Sequence, residues 1–140
     1  MKRIIFLVLT LLAALQLSAQ SLSDDDLRAA KREQRKNLTI KEWNTDASTK
    51  TRWLDRKTTY DAKGRKIEEV EYARYGQKWR ETYQYDDNDR IVKCVYYNDH
   101  NKPELIRKFQ YNESGRKVKQ FNYSPNGKLL TTKVYEYITE

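Results

Sequence analysis

Residues 109–127 read FQYNESGRKVKQFNYSPNG and hold one phrase twice: an apolar residue, a polar residue, a tyrosine, then a turn. The same apolar–x–Tyr phrase recurs six times in the second half of the chain. The copies are Val70-Glu71-Tyr72, Tyr83-Gln84-Tyr85, Val95-Tyr96-Tyr97, Phe109-Gln110-Tyr111, Phe121-Asn122-Tyr123 and Tyr135-Glu136-Tyr137. With Tyr60 at the head, successive tyrosines are spaced 12, 13, 12, 14, 12 and 14 residues. A fixed period of this kind marks a repeat architecture, in which each unit packs on its sequence neighbours.

The connections carry hairpin chemistry. They read Asp61-Ala62-Lys63-Gly64, Asp86-Asp87-Asn88-Asp89, Asn112-Glu113-Ser114-Gly115 and Ser124-Pro125-Asn126-Gly127. Asp, Asn or Ser comes first, where its side chain bonds the turn backbone. Glycine comes fourth in three of them, where φ must be positive. Pro125 stands second, where φ near −65° is wanted. This is a type I turn closed by a bulge. All four glycines and both prolines of the chain are expected to fall between strands. Within strands the alternation has a period of two. Trp79, Tyr83 and Tyr85 share one face of their strand and Arg80, Thr82 and Gln84 the other, while Phe121 and Tyr123 oppose Gln120 and Asn122. One aromatic face and one polar face are therefore expected.

Upstream the period changes. Residues 20–37 are expected to hold a short helix, capped by Ser23 and opened by Asp24, Asp25 and Asp26. Leu38 onward alternates, Asn44-Thr45-Asp46-Ala47-Ser48 signals a turn, and Thr51–Tyr60 returns as a strand. The fold expected over residues 38–140 is all-β: an antiparallel hairpin meander of about six to eight strands behind a short N-terminal helix. Residues 1–19 read as a secretory signal peptide: Lys2 and Arg3, an apolar run from Ile4 to Leu15, and Ser18-Ala19 before the cut. The run is too short to span a membrane, which takes about 20 residues. No stable membrane span is expected once the leader is removed.

Tyr60-Asp61-Ala62-Lys63-Gly64-Arg65 resembles the YD repeat of Rhs-type bacterial surface and toxin-shell proteins, and Tyr111-Asn112-Glu113-Ser114-Gly115-Arg116 is similar with Asn for Asp. Tyr123-Ser124-Pro125-Asn126-Gly127-Lys128 resembles the MORN-like hairpins of bacterial repeat proteins. The whole chain is similar to small, secreted, tyrosine-rich Bacteroidota proteins. These resemblances cover residues 60–137 and imply hairpin architecture; they carry no activity.

Chemistry is sparse. His100 is the single histidine and Cys94 the single cysteine, so neither a zinc centre nor an internal disulfide can be built. No nucleophile elbow, P-loop or dinucleotide motif occurs. No cofactor or metal is expected. The net charge of +8 mixes both signs along every repeat, which disfavours nucleic acid as a partner but suits anionic cell-surface glycans or lipids. Glu68, Glu69, Glu71 and Glu81 lie near aromatics and leave open a hydrolase with paired carboxylates. The reading preferred here is an exported, non-catalytic binding or interaction module of the periplasm or cell surface. Its partner would be a glycan or an envelope protein, and oligomers could form through the aromatic face or a sheet edge. The connections after Tyr72, Tyr97 and Tyr123 belong to the units of 13 or 14 residues and should gather at one end of the sheet. Their Tyr75, Gln77, Trp79, His100 and Asn101 are the expected binding rim.

Export predicts that mass spectrometry of the mature protein finds an N-terminus at or near Gln20. A mature protein that retains Met1 in the envelope fraction would refute it.

Overall fold

A computed structural model describes residues 23–139, and the leader expected over residues 1–19 lies outside them. Two compact units are distinguished, residues 1–30 and 31–140. The described part of the first is Ser23 and the opening turns of α1 (Asp24–Arg35). The Ser23 hydroxyl accepts the Asp26 N–H at 3.2 Å, and the Asp26 carboxylate accepts the Ser23 N–H at 3.3 Å. This reciprocal cap satisfies two otherwise orphaned donors. Asp24, Asp25 and Asp26 complement the positive end of the helix, and Arg32 and Arg35 the negative end.

The second unit is one sheet of eight strands: β1 (Thr39–Thr45), β2 (Arg52–Tyr60), β3 (Lys66–Ala73), β4 (Gly76–Tyr85), β5 (Ile91–Tyr97), β6 (Pro103–Tyr111), β7 (Lys117–Tyr123) and β8 (Leu129–Val134). The strands lie in sequence order and every neighbouring pair is antiparallel, with β1 and β8 as edges. The expected meander is the observed one. The first turn sits later than expected: Asn44 and Thr45 still pair with Trp53 and Arg52, and the chain reverses over Asp46–Lys50. Asp46 causes the shift, because its carboxylate accepts the N–H groups of Ser48 and Thr49, both at 2.9 Å.

Five turns are built alike. In the turn after β2, Asp61 N–H donates to the Arg65 carbonyl at 2.9 Å and Gly64 N–H to the Asp61 carbonyl at 3.0 Å. The Asp61 carboxylate accepts the N–H groups of Lys63 and Arg65, both at 2.9 Å. Asp86, Asn98, Asn112 and Ser124 head equivalent turns after β4, β5, β6 and β7. The fourth position is left-handed in each: Gly64 (φ 73°), Asp89 (60°), Asn101 (57°), Gly115 (80°) and Gly127 (87°). Asp and Asn substitute for glycine there because they tolerate this region better than other side chains. A register shift accompanies the tyrosine at or next to the end of each of β2 to β7, because two residues of one strand face one of the other.

These shifts displace each hairpin along the next. Thr59, Thr82 and Ile106 lie in one row across the sheet, yet they stand one, three and five residues before Tyr60, Tyr85 and Tyr111. Each later tyrosine therefore overshoots the strand beside it and reaches the preceding turn. The Tyr85 hydroxyl donates to the Lys66 carbonyl at 2.7 Å, Tyr111 to the Ile91 carbonyl at 2.6 Å and Tyr137 to the Lys117 carbonyl at 2.7 Å. Above each ring sits the basic residue that closes that turn: Arg65 at 4.8 Å from the Tyr85 centroid, Arg90 at 5.0 Å from Tyr111 and Arg116 at 5.1 Å from Tyr137. Tyr60 is covered by Arg35 at 5.3 Å instead. At the opposite ends of the strands Arg52 covers Trp43, Arg74 covers Trp53, Arg80 covers Tyr97 and Lys108 covers Tyr123. Each such stack contributes on the order of 0.5–1 kcal/mol at a solvated site.

The clasps matter because there is almost no core. Among the described residues Val70, Cys94, Thr58 and Gly64 are buried, and only the first three carry a side chain. Val70 lies opposite Arg80, while Cys94 lies opposite Tyr83. Because Arg80 and Tyr83 differ by an odd number of positions, Val70 and Cys94 lie on opposite faces. The expectation of one aromatic face fails for the same reason. Tyr83 shares a row with Cys94 and Arg107, but Tyr123 shares a row with Ile106, Val95 and Thr82. Aromatic side chains therefore populate both faces, and neither is a continuous apolar layer.

Gly64 separates turn chemistry from packing. Gly64 and Gly115 share the same left-handed φ, but a Cβ on Gly64 would collide with the Arg32 carbonyl, while one on Gly115 would meet open space. In urea melts Gly115→Ala should lose about 1 kcal/mol from backbone conformation alone, and Gly64→Ala at least twice that. Equal losses would show that the helix end does not press on this turn.

Charge supplies a second check. Arg65 donates to Asp61 at 2.8 Å and to Asp89 at 2.8 Å, and Arg32 donates to Asp89 at 2.9 Å. The Asp89 carboxyl is held below its usual range, first by the Arg65 bond; desolvation opposes this, and the Arg32 bond adds to the lowering. A depressed folded pKa gives stability that is present above the unfolded value and is lost as pH falls through the folded one. Asp89→Asn keeps a side chain that accepts positive φ, yet removes the charge. Its melting temperature should lie below wild type at about pH 7, and the gap should close by about pH 2. A gap that persists in acid would refute the ionic account.

Candidate functional site

The expected rim is only partly a loop structure. The connections after Tyr97 and Tyr123 have the same five-residue form as those after Tyr60, Tyr85 and Tyr111, and the one after Tyr72 is the two-residue Arg74–Tyr75. The extra residues of the longer units lie beyond the connections, in β4, in β6 and in the stretch from Leu129 to Tyr137, so longer loops do not gather at one end. Gln77 and Trp79 belong to β4. The 12-to-14 spacing counted residues between tyrosines and could not say which of them would pair.

The structure nevertheless brings the five residues to one end of neighbouring strands. Gln77 Nε2 donates to the Asn98 carbonyl at 2.7 Å and ties the β4 strand to the next turn. Asn101 holds the left-handed position, and its Oδ1 accepts Arg80 Nε at 2.8 Å. Arg80 lies 3.8 Å from the Tyr97 centroid. Trp79 stacks on Tyr96 at 6.3 Å with 27° between ring planes. Gln77, Asn101 and Trp79 are thus engaged within the sheet. Tyr75, 77% exposed, and His100, with Nδ1 at 2.7 Å from Asp99, project from the tips. The free recognition groups at this end are Tyr75 and His100.

Sequence reasoning named four glutamates without pairing them. The sheet register does so: Glu69 lies directly opposite Glu81 on the Cys94 face. The Tyr83 hydroxyl donates to Glu81 at 3.1 Å and lies 3.4 Å from Glu69. Lys66 Nζ sits 2.7 Å from Glu69, and an Arg107 guanidinium nitrogen sits 2.6 Å from Glu81. Two carboxylates, one phenol and two cations thus form one half-buried cluster. Burial first, then the Glu81 charge, holds the Tyr83 phenol in its neutral, donating form. Cys94 lies opposite Tyr83, and burial, followed by the Glu81 charge, pushes its thiol up to about 11. A thiol so placed is a poor nucleophile.

The acidic run Asp86-Asp87-Asn88-Asp89 is a turn in which two of the three carboxylates are engaged and Asp87 is exposed. Asp86 accepts the N–H groups of Asn88 and Arg90, and Asp89 pairs with Arg32 and Arg65. Among the described residues no group of His, Cys, Asp and Glu is arranged to hold a metal ion, and no helix is long and apolar enough to cross a membrane.

No protein family matches this chain, and no curated protein matches it. Solved structures similar to it include the GtfA/B complex bound to UDP and GlcNAc, at 14% identity and a TM-score of 0.32 over 68% of this chain and 20% of that one. Another is a TarM variant of S. aureus in complex with Fondaparinux, alpha-GlcNAc-glycerol and UDP, at 18% identity and a TM-score of 0.30 over 76% of this chain and 23% of that one. The chain spans about a fifth of the length of each.

Proposed function

We propose that this protein is an exported, non-catalytic interaction module that presents a single-layer sheet to a glycan or protein partner in the periplasm or at the cell surface. The observation that carries the reading is the near absence of a core. Among the described residues only Val70, Cys94 and Thr58 bury a side chain, which leaves both faces of an eight-stranded sheet available to a partner. A fold stabilised by clasps between hairpins gains rigidity without covering either face. A rigid platform loses little conformational freedom on binding. The leader read from the first residues supports export.

The paired carboxylates favour a second reading, a hydrolase built on Glu69 and Glu81. Both glutamates are ion-paired, and both contact Tyr83. A hydrolase would need one acid and one base from this pair.

Affinity capture from the native envelope with the tagged full chain tests both. Wild type should retain a partner, and Tyr75→Ala with His100→Ala should weaken capture while circular dichroism is unchanged. Glu69→Gln with Glu81→Gln should still capture if it folds. A polysaccharide-degrading activity of the wild type that vanishes in the folded double glutamine variant would replace the binding reading with the enzymatic one.

A further inference from the structure

Many of the sheet's charges are ion-paired, but one group of like charges on neighbouring strands is not. On the Val70 face, Lys57 meets Glu68 at 2.9 Å and Arg80 meets the same carboxylate at 3.2 Å. Across the sheet Arg107 meets Glu81 and Lys66 meets Glu69. Further along the Val70 face the row Gln84, Lys93, Lys108, Phe121 and Thr132 crosses β4 to β8. Lys93 stands directly opposite Lys108. Lys119 lies on the same face of β7, opposite Gln110. None of the three lysines has an ion-pair partner among the described residues. Lys108 and Lys119 are exposed and Lys93 is half-buried.

Like charges directly opposite one another cost stability in a sheet. A carboxylate in place of Gln84 or Gln110 would relieve the repulsion, yet both positions are neutral amides. Three consecutive strands thus present one ammonium each, bordered by two amides and by the Phe121 and Tyr123 rings, whose centroids are 6.4 Å apart. Strands step by about 4.8 Å, close to the length of one sugar ring in a linear polysaccharide. Successive charged sugars laid across the strands would meet successive lysines, with amides for their hydroxyls and Phe121 for a ring face.

We propose that the Val70 face of β4–β7 binds a linear anionic polysaccharide, its carboxylate or sulfate groups held by Lys93, Lys108 and Lys119. This rests on the interaction-module reading and names its ligand class.

The test is binding of the full chain to immobilised polygalacturonate, dextran sulfate, neutral dextran and an oligothymidylate, measured across a salt series. Wild type should bind polygalacturonate or dextran sulfate, with preference between them telling carboxylate from sulfate, and should ignore neutral dextran. The variant Lys93→Gln, Lys108→Gln, Lys119→Gln should bind roughly tenfold or more weakly and show a shallower salt dependence, since fewer counterions are released. A control with the same net charge, Lys31→Gln, Lys63→Gln, Lys102→Gln, should stay within about twofold of wild type. The single variant Lys93→Gln should melt no lower than wild type at low salt, because it removes a repulsion. Equal losses in the two triple variants would overturn the proposal, as would a lower melting temperature for Lys93→Gln or tighter binding of the oligothymidylate. Absence of polyanion binding alongside intact envelope capture would overturn this proposal and leave the interaction module standing. Failure of envelope capture with polyanion binding intact would support the glycan form of the interaction module and exclude its protein-partner form.

Discussion

The clasp between one hairpin and the next is what the rest of the structure depends on. A tyrosine overshoots its neighbouring strand, lays its ring under the arginine that closes the preceding turn, and donates its hydroxyl to a carbonyl just beyond it, as in Tyr85 with Arg65 and Lys66. A single-layer sheet lacks the face-to-face burial that stabilises a sandwich. Its strands must instead be joined laterally, by ladder hydrogen bonds and by side chains that reach across them. Burial raises the pKa of Tyr85 and Tyr111, which keeps both hydroxyls protonated and able to donate.

The clasp and the turn explain each other. The turn needs an acceptor first and a left-handed residue fourth; the fifth residue closes the loop through its backbone carbonyl and is basic in all five turns. In the Asp61 and Asp86 turns the arginine also bonds back to the leading aspartate, at 2.8 Å and 2.9 Å. That fixes the guanidinium above the incoming ring. One arginine therefore completes its own turn and holds the next hairpin, which is why aromatic and basic residues recur together.

This economy bears on function. Most aromatic rings at the strand ends already carry a cation, so a partner does not meet them as bare stacking platforms. What remains accessible is uneven: Tyr75 and His100 at one end, the Glu69–Glu81 cluster on one face, and the unpaired lysines of β5 to β7 on the other. The contrast between well-paired charges around Glu68 and unpaired ones around Lys108 distinguishes two halves of the same face.

The period, the turns and the meander are legible in the order of residues alone. Tyrosines at fixed spacing, Asp, Asn or Ser leading each turn, and glycine closing three of them are local chemistry, and local chemistry is readable from neighbouring residues. It misplaced the first turn by two residues, since Asn44 and Asp46 can each lead a turn and only pairing with Trp53 keeps Asn44 in the strand. The tertiary structure decided everything that depends on register. One bulge moves a side chain relative to the next strand, and seven of them accumulate across the sheet. Register set Glu69 against Glu81 and Lys93 against Lys108, put Tyr83 and Tyr123 on opposite faces, and turned Gln77 and Asn101 from expected ligands into braces. None of these pairings follows from a spacing along the chain, because each joins residues whose opposition is fixed by the bulges between them.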